Sequence, residues 1–507
     1  MKILSADQIK IVDTSTLKNE PIASIDLMER AAMACFRRLL KLLKPEQEII
    51  VFCGKGNNGG DGLAISRLLI EHGFECNAVI IHFSEKFSND ALQNDKRLRE
   101  KYANRIADIT SSDELKKITP KENTVVIDAL LGTGTNKPTE GLLAETIRFI
   151  NNHFRKIISI DVPSGLFTDQ HSPELNEIIR SSLTLTFQLP KLAFLQPENQ
   201  KYVPEFEILD IHLDKKEISN QTSHYFYLTK SDIRSVLKPR NKFSHKGNYG
   251  HALLMAGSKG KSGAAIISAK ACLRSGAGLL TLHSTKDTVA GVLNHLPEAM
   301  TIEDQQPDFI SHLDKPEVYD AIGFGPGVGL HGDTQQVLKK ILHYFTGKLV
   351  IDADGLNILS ENKTWLNFLP AHTILTPHPK EFERLTDKHE NDFEKLKALK
   401  QFSIRYNCIV ILKGAHSAIA MPDGNVFFNS TGNAGLAKGG CGDGLTGIIL
   451  GFLARGYSPA QASIIGTFLH GFAADMWVRK KSAEGLLISD VIETLPKALK
   501  KLEDIPH

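Results

Sequence analysis

Short, continuously apolar runs that end in glycine- or aspartate-bearing turns, each followed by helical periodicity, recur along the whole chain. Glu48-Ile-Ile-Val-Phe-Cys53 reads as a strand buried on both faces. It runs directly into Gly54-Lys-Gly-Asn-Asn-Gly-Gly-Asp-Gly62, after which Leu63, Ala64, Ile65, Leu68 and Leu69 fall at helical spacing. Upstream, Ile25, Leu27, Met28, Ala31, Ala32, Cys35, Phe36, Leu39, Leu40 and Leu43 predict a helix within 22–43. Further strands are expected at 78–83, 125–131, 157–160 and 183–187, with helices between them. Such alternation dictates a parallel sheet, because parallel neighbours need a crossover connection and a helix supplies it. A second series begins at 251–256, continues through a glycine-rich turn at 257–263 and a helix at 264–274, and adds strands at 321–324, 349–351, 374–376 and 409–412. The expected fold class is α/β, with two three-layer domains built on largely parallel sheets. The polar segment 213–223 is expected to be the linker, giving domains 1–214 and 225–507.

Composition fits this reading and narrows the partners. A chain of 507 residues accommodates roughly two to four domains, and each half is long enough to bury its own core. With 60 basic and 58 acidic residues the net charge is +2, so there is no broad electrostatic footprint for nucleic acid or an anionic membrane. The six cysteines, at 35, 53, 76, 272, 408 and 441, form no CxxC or Cys/His cluster. They suit a reducing cytosol and the role of small buried hydrophobes. The start, MKILSADQIK, has no signal-peptide pattern. The uncharged tract around 456–474 carries Ser, Pro, Gln, Thr and His, which fits a glycine-rich helix pair better than a membrane span.

Three strand ends in the first half carry chemistry. The glycine turn at 54–62 offers successive backbone N–H groups at a helix start, an anion nest suited to phosphate. It is neither a GxGxxG nor a GxxxxGK[ST] motif. After Val125-Val-Ile127 comes Asp128-Ala-Leu-Leu-Gly-Thr-Gly-Thr-Asn-Lys-Pro138, and after Ile157-Ile-Ser-Ile160 comes Asp161-Val-Pro-Ser-Gly165. Ligands of open parallel sheets bind at the carboxyl ends of the strands, where these segments converge. Strand-end aspartates also serve as helix caps.

The combination NNGGDG, DALLGTG with a downstream proline, and DVPSG, together with the opening SADQ and LMERA segments, resembles the YjeF N-terminal family, the NAD(P)H-hydrate epimerases, over about residues 1–212. The resemblance implies a Rossmann-like fold with a phosphate loop at Asn57, Asn58, Gly59, Gly60 and Asp61. It implies substrate contacts at Gly132, Thr133, Gly134, Thr135, Asn136, Lys137, Pro138 and Asp161, and a potassium site at Asn58, Asp128 and Ser164. Amide, carboxylate and hydroxyl oxygens are hard ligands, as an alkali ion requires. The implied reaction inverts C6 of the hydrated nicotinamide ring. The ring nitrogen stabilises the cation left when hydroxide departs, and water returns on the other face. Asp161 is the candidate acid/base; its alternative role is to orient a substrate hydroxyl.

In the second half the most informative segment is Asn433-Ala-Gly-Leu-Ala-Lys-Gly-Gly-Cys-Gly-Asp-Gly-Leu-Thr-Gly447, which leads into an apolar helix pattern. Asp443 sits inside an anion nest, which is electrostatically odd unless it acts on the transferring group or its acceptor. Four other turns follow strands: Lys413-Gly-Ala-His-Ser417, Thr376-Pro-His-Pro-Lys-Glu-Phe382, Gly323-Phe-Gly-Pro-Gly-Val-Gly329 and Asp352-Ala-Asp-Gly-Leu-Asn357. Gly257-Ser-Lys-Gly-Lys-Ser-Gly-Ala264 breaks the GxxxxGK[ST] spacing, which excludes a P-loop NTPase.

These pieces resemble the ribokinase-like superfamily and, within it, the YjeF C-terminal family, the ADP-dependent NAD(P)H-hydrate dehydratases, over about residues 225–500. The resemblance implies ADP binding by Lys413, Gly414, Ala415, His416, Ser417 and Gly442, and hydrate contacts at Ala264, Gly329, His378 and Asp443. Asp443 would take the C6 hydroxyl proton during phosphoryl transfer, with Mg²⁺ and Lys413 neutralising charge. Asp352 and Asp354 suit either a strand-end cap or a magnesium ligand, and His378 either a helix cap or a ligand contact. The family pattern has a hydroxyl residue at 441 and a valine at 444, where this chain has Cys441 and Gly444. The whole chain is then expected to be a cytoplasmic homo-oligomer acting on hydrated NADH and NADPH with ADP as co-substrate. The alternative is a ribokinase-like small-molecule kinase with a non-catalytic N-terminal binding domain.

Overall fold

The computed structural model describes residues 1–504; the last three residues of the expected second domain, 505–507, lie outside it. The chain divides into two compact units. One comprises Lys2–Ser223 with Asn391–Phe393, the other Met1, His224–Glu390 and the chain from Glu394 onward.

The first unit holds a seven-stranded sheet of β1 (Glu48–Cys53), β2 (Glu75–Ile81), β3 (Ile106–Ile109), β4 (Val125–Ala129), β5 (Lys156–Ile160), β6 (Leu183–Phe187) and β7 (Phe206–Leu209). The spatial order is β3-β2-β1-β4-β5-β6-β7 and every pairing is parallel. β1 explains the layers. Its alternate residues Ile49, Val51 and Cys53 enter one core with Ala32, Phe36 and Leu39 of the helix Ser24–Leu39 and Leu63, Ala64 and Leu68 of the helix Asn57–Glu71. Ile50 and Phe52 enter another core with Leu143, Ile147 and Ile150 of the helix Gly141–His153. A period of two on a fully buried strand therefore feeds helices on both faces. The segment expected to be a linker carries a short helix, Lys215–Asn220, capped by Asp214, with Leu213 buried ahead of it and Ile218 packed on the same cluster. Its polarity is that of a half-exposed helix rather than a free linker.

The second unit holds a ten-stranded sheet of β8 (Tyr225–Tyr227), β9 (His251–Met255), β10 (Leu279–Ser284), β11 (Met300–Glu303), β12 (Ala321–Phe324), β13 (Lys348–Ile351), β14 (Ile374–Leu375), β15 (Ile409–Leu412), β16 (Ala418–Ala420) and β17 (Val426–Phe428). The order is β11-β10-β9-β12-β13-β14-β15-β16-β17-β8; it is parallel as far as β15, and β16 runs antiparallel to both of its neighbours. The helix Pro459–Val478 covers most of the tract expected to form a glycine-rich helix pair and runs four residues past it. A side chain on its Gly466 would overlap Ile449 of the helix Cys441–Ala454. No helix among the described residues is long and apolar enough to cross a membrane. All six cysteines are free and buried.

In each sheet the order reverses direction beside the first long central strand, between β1 and β4 and between β9 and β12. Such switch points open a crevice at the carboxyl ends of the strands.

Candidate active sites

In the first unit a cavity of about 600 Å³ opens at that crevice. Asn57, Asn58, Asp61, Gly132, Thr133, Gly134, Thr135 and Asp161 line it. Gly59 and Gly60 do not: a side chain on Gly59 would meet the Gly54 carbonyl at 1.9 Å, and one on Gly60 would meet Met28 Sδ at 2.7 Å. Gly59 lets the helix Asn57–Glu71 start hard against the turn that leaves β1, and Gly60 lets it pack close to Met28 of the helix Ser24–Leu39. Asn136, Lys137 and Pro138 stand on an exposed stretch outside the cavity. Lys55 turns away and donates to the carbonyls of Ser84 and Glu85 at 2.8 and 3.4 Å, so the nest itself is made of backbone.

Asn58, Asp128 and Ser164 do come together. Asn58 Nδ2 donates to Leu131 O at 2.7 Å, while its Oδ1 is buried without a partner. Asp128 is fully buried, and burial pushes its carboxyl up. Four contacts oppose that shift: Ser164 Oγ at 2.5 Å and Leu130 N at 3.3 Å on Oδ1, Ser159 Oγ at 2.8 Å and Ser164 N at 2.9 Å on Oδ2. The orphaned Asn58 oxygen fits a cation ligand. Asp128 instead spends its oxygens bracing the turn that carries Ser164.

Asp161 has φ +64°, a left-handed conformation that aspartate tolerates better than most side chains. Its Oδ1 accepts from Lys191 Nζ at 2.8 Å, Thr186 Oγ1 at 3.2 Å and Phe187 N at 3.3 Å. Lys191, with 2% of its side chain exposed, also lines the cavity, as does Asp13 from the helix Ala6–Asn19. Neither was singled out by sequence, since a lysine after a strand and an aspartate in an amphipathic helix both read as surface. Burial, then the Asp161 charge, pushes the Asp13 carboxyl up to about 6. Burial raises Asp61 well above the ordinary range, with Asp161 and Asp13 adding to it. A raised Asp61 carboxyl weakens the repulsion that a carboxylate in an anion nest would impose on phosphate.

In the second unit a cavity of about 810 Å³ is lined by Lys413, Gly414, Ala415, Ser417, Cys441, Gly442 and His378. His416 points elsewhere, its Nδ1 3.2 Å from Asn429 O. His378 is a helix cap, its Nδ1 accepting from Lys380 N and Glu381 N at the start of the helix Pro379–Leu385, and it also lines the cavity. Two further lining residues, Thr467 and His470, sit one turn apart on the helix Pro459–Val478. Thr467 Oγ1 and His470 Nε2 are buried and unpartnered, and burial lowers the imidazole to about 4. Neutral, unsatisfied groups facing a cavity are what a nucleobase or ribose would satisfy. Their only signal in the sequence is polarity inside an apolar helix.

Lys413 Nζ lies 2.9 Å from Asp352 Oδ1 and 3.9 Å from Glu381 Oε2. Burial alone would lower the Lys413 ammonium, but Asp352 and Glu381 reverse this and hold it above its usual range. Asp352 also accepts from Thr446 Oγ1 at 2.7 Å and Ala353 N at 2.8 Å, so both of its oxygens are engaged within the protein. Asp354 is engaged on one side only: its Oδ2 accepts from Gly329 N and Lys261 Nζ, each at 2.9 Å, while Oδ1 meets Asn357 Nδ2 at 3.5 Å. Gly329 thus belongs to the turn beside Asp354 and Ala264 to the first turn of the helix Ser262–Arg274, and neither lines the cavity of Lys413. Asp443 feels Asp352, Lys413 and Asp354 together, on the first turn of the helix Cys441–Ala454. Burial first, then Asp352, pushes it up to about 6.

The two departures flanking Asp443 resolve differently. A side chain on Gly444 would meet Ile488 Cδ1 at 2.5 Å and Cγ1 at 2.7 Å, so Ile488 fills the space a valine would take. Gly444→Val is expected to destabilise the protein by about 1–3 kcal/mol through overpacking. Adding Ile488→Ala should recover much of that, and thermal unfolding of the single and double variants measures it. Cys441 lines the cavity with a thiol that burial keeps neutral, so it offers phosphate only a weak donor.

These features define an α/β protein with two separate strand-end sites, the second on a ribokinase-like sheet. A ribokinase-like superfamily protein from Enterococcus faecalis matches that part, with 28% identity, a TM-score of 0.50, and coverage of 56% of this chain and 99% of that one. The family model for NAD(P)H-hydrate dehydratase matches residues 252–497, and that for the YjeF-related protein N-terminus matches 24–193. Proteins named bifunctional NAD(P)H-hydrate repair enzyme match nearly end to end. The one from Moorella thermoacetica is 32% identical over 99% of this chain and 98% of its own length. That from Escherichia coli K12 is 30% identical over 93% and 89%. The chain belongs to the bifunctional NAD(P)H-hydrate repair enzymes.

Proposed function

We propose that the first unit interconverts the R and S epimers of hydrated NADH and NADPH at C6, and that the second dehydrates the S epimer with ADP converted to AMP and phosphate. The observation that carries this reading is the pairing of two complete strand-end sites in one chain. A stereospecific dehydratase recovers only one epimer unless an epimerase supplies the other. A kinase with a passive binding domain would leave a stable phosphorylated product, and the end-to-end family match speaks against it.

At the first site Asp161 exchanges the proton that lets hydroxide leave C6 as water and deprotonates the water that returns. The alternative, that it only orients a hydroxyl, leaves exchange intact when its charge is removed. The substrate's phosphates sit on the backbone nest at Asn57–Asp61 and contact the turn at 132–135. Potassium would be held by Asn58 Oδ1 with nearby carbonyls and would supply fixed positive charge beside the phosphate. Asp161→Asn is expected to slow epimer exchange by about 10²-fold or more. The measurement mixes both hydrate epimers with protein and follows their ratio by chromatography. Exchange at the wild-type rate would remove Asp161 from the chemistry.

At the second site Asp443 accepts the C6 hydroxyl proton as that oxygen attacks the terminal phosphorus of ADP, and AMP leaves. Lys413 and the backbone amides at 441–443 stabilise the charge that develops. The ring nitrogen then expels phosphate, and loss of a C5 proton restores the dihydronicotinamide. Magnesium would come with the nucleotide, neutralising its phosphates, since Asp352 is committed to Lys413 and Thr446. Thr467 and His470 would meet the nucleoside. The near-zero net charge supports an enzyme of small-molecule substrates that binds neither nucleic acid nor membrane, the scattered cysteines suit the cytoplasm, and a homo-oligomer is part of the same reading. The assay that tests the whole follows recovery of the reduced-nicotinamide absorbance from mixed hydrate with ADP. Recovery of only half the material would sink the epimerase, and no recovery would sink the dehydratase.

A further inference from the structure

At the far edge of the ten-stranded sheet, His283 is the penultimate residue of β10 and Asp304 follows β11, and the loop after Asp304 brings His312 back over both. The ligand atoms of these three residues lie within 4.8 Å of one another. His283 Nε2 is 2.9 Å from Asp304 Oδ2 and His312 Nδ1 is 3.1 Å from the same oxygen. The two rings meet edge to face at 4.6 Å. Asp304 has no exposed side-chain surface and His283 has 1%.

Hydrogen bonding accounts for only part of this arrangement. Asp304 Oδ1 is fixed by Gln306 N at 2.9 Å and Ser311 Oγ at 2.7 Å, and Oδ2 by Ser311 N at 2.8 Å. His283 completes a bond to Oδ2. His312 Nδ1, though buried and 3.1 Å from that oxygen, makes no hydrogen bond at all. Its other nitrogen lies 3.6 Å from the Asp314 carboxylate. His312 Nδ1 and the Asp304 carboxylate oxygen therefore face each other at 3.1 Å without the alignment a hydrogen bond needs, the arrangement of two ligands of one cation.

We propose that His283, Asp304 and His312 bind a divalent transition ion of the zinc class, with water in the fourth position. Two imidazoles and one carboxylate select zinc over magnesium or calcium, which prefer all-oxygen sites. Nitrogen and oxygen ligands around tetrahedral zinc stand about 3.3 Å apart, so the contacts with Asp304 need to open by only a few tenths of an ångström. The half-buried His312 provides the way in. The role is structural: the same loop holds Lys259 through Asp308, by Lys259 N to Asp308 O at 3.1 Å and an ion pair at 2.9 Å, and Lys259 belongs to the turn that leads to Ala264.

The test loads the full-length protein with zinc, removes excess by gel filtration and counts bound metal by mass spectrometry. Wild type is expected to retain one equivalent more than His312→Ala, which alters a partly exposed loop residue and should leave the fold intact. Cobalt in place of zinc should give wild type, but not the variant, the intense visible absorption of a tetrahedral site. Equal zinc retention by wild type and His312→Ala, or a cobalt spectrum of octahedral form in wild type, would overturn the proposal.

Discussion

Asp443→Asn is expected to leave the full-length protein folded and exchanging hydrate epimers, yet about 10²–10⁴-fold slower in restoring NADH from the S hydrate. Asparagine keeps the size of the side chain and loses only its basicity. The packing at this position rests on the backbone, where Ser268 Oγ donates to the Asp443 carbonyl at 2.9 Å, so the helix start should survive the change. The chemistry should not. A carboxyl raised to about 6 by burial and by Asp352 is ionised at neutral pH but holds a proton more firmly than an exposed aspartate. That is the condition for a base that takes a hydroxyl proton as phosphoryl transfer begins. The sign of the pH dependence follows. The working form is the carboxylate, so kcat/KM for dehydration should be flat above about pH 7 and fall tenfold per pH unit well below 6. Wild-type recovery by Asp443→Asn, or a profile with no fall on the acid side, would require another base.

The interior of both sheets was legible because a strand buried on two faces has no alternative to a continuous apolar run. β1, β4, β9 and β12 are such runs, and their residues are buried throughout except His251 at the start of β9. Edge strands lack that signature. β3 is Ile-Ala-Asp-Ile with its middle residues exposed, and β11 is Met-Thr-Ile-Glu with both ends exposed; neither was expected. β8, β16 and β17 have three residues each and owe their existence to pairing with one another, which local pattern does not encode.

The sites were legible in a similar, partial way. Glycine and aspartate at strand ends marked both crevices, since sheet topology brings such turns together. What could not be read was which side chains complete them. Asn58 shows a vacant oxygen only once Leu131 has taken its amide. Gly444 reads as a loss until Ile488, more than forty residues away, is seen to fill the gap. Thr467 and His470 face a cavity only because their helix packs where it does.

Lys191 is the largest such omission, and replacing it should be the most damaging change in the first unit. Its ammonium lies 2.8 Å from Asp161 Oδ1 and 2.9 Å from Thr186 Oγ1, and 3.3 Å from the carbonyls of Phe187 and Leu189. A lysine this deeply buried is held by those acceptors, and it is the cation paired with Asp161 in a cavity that Asp13 and Asp61 also line. Removing one partner of a buried ion pair leaves the other charge uncompensated, which costs about 3–5 kcal/mol. Because Asp161 also faces the cavity and its water, the lower end applies. Lys191→Met is therefore expected to lose about 3 kcal/mol and lower the unfolding temperature of this unit by roughly 6–12 °C. Epimer exchange should fall with it even below that transition, because Asp161 loses the contact that fixes its Oδ1. Lys191→Arg keeps the charge but not the space, and should restore part of the stability and little of the exchange. Calorimetry and the epimer-ratio assay on the same preparations decide the matter: an unchanged unfolding temperature together with wild-type exchange would mean that Asp161 needs no buried partner.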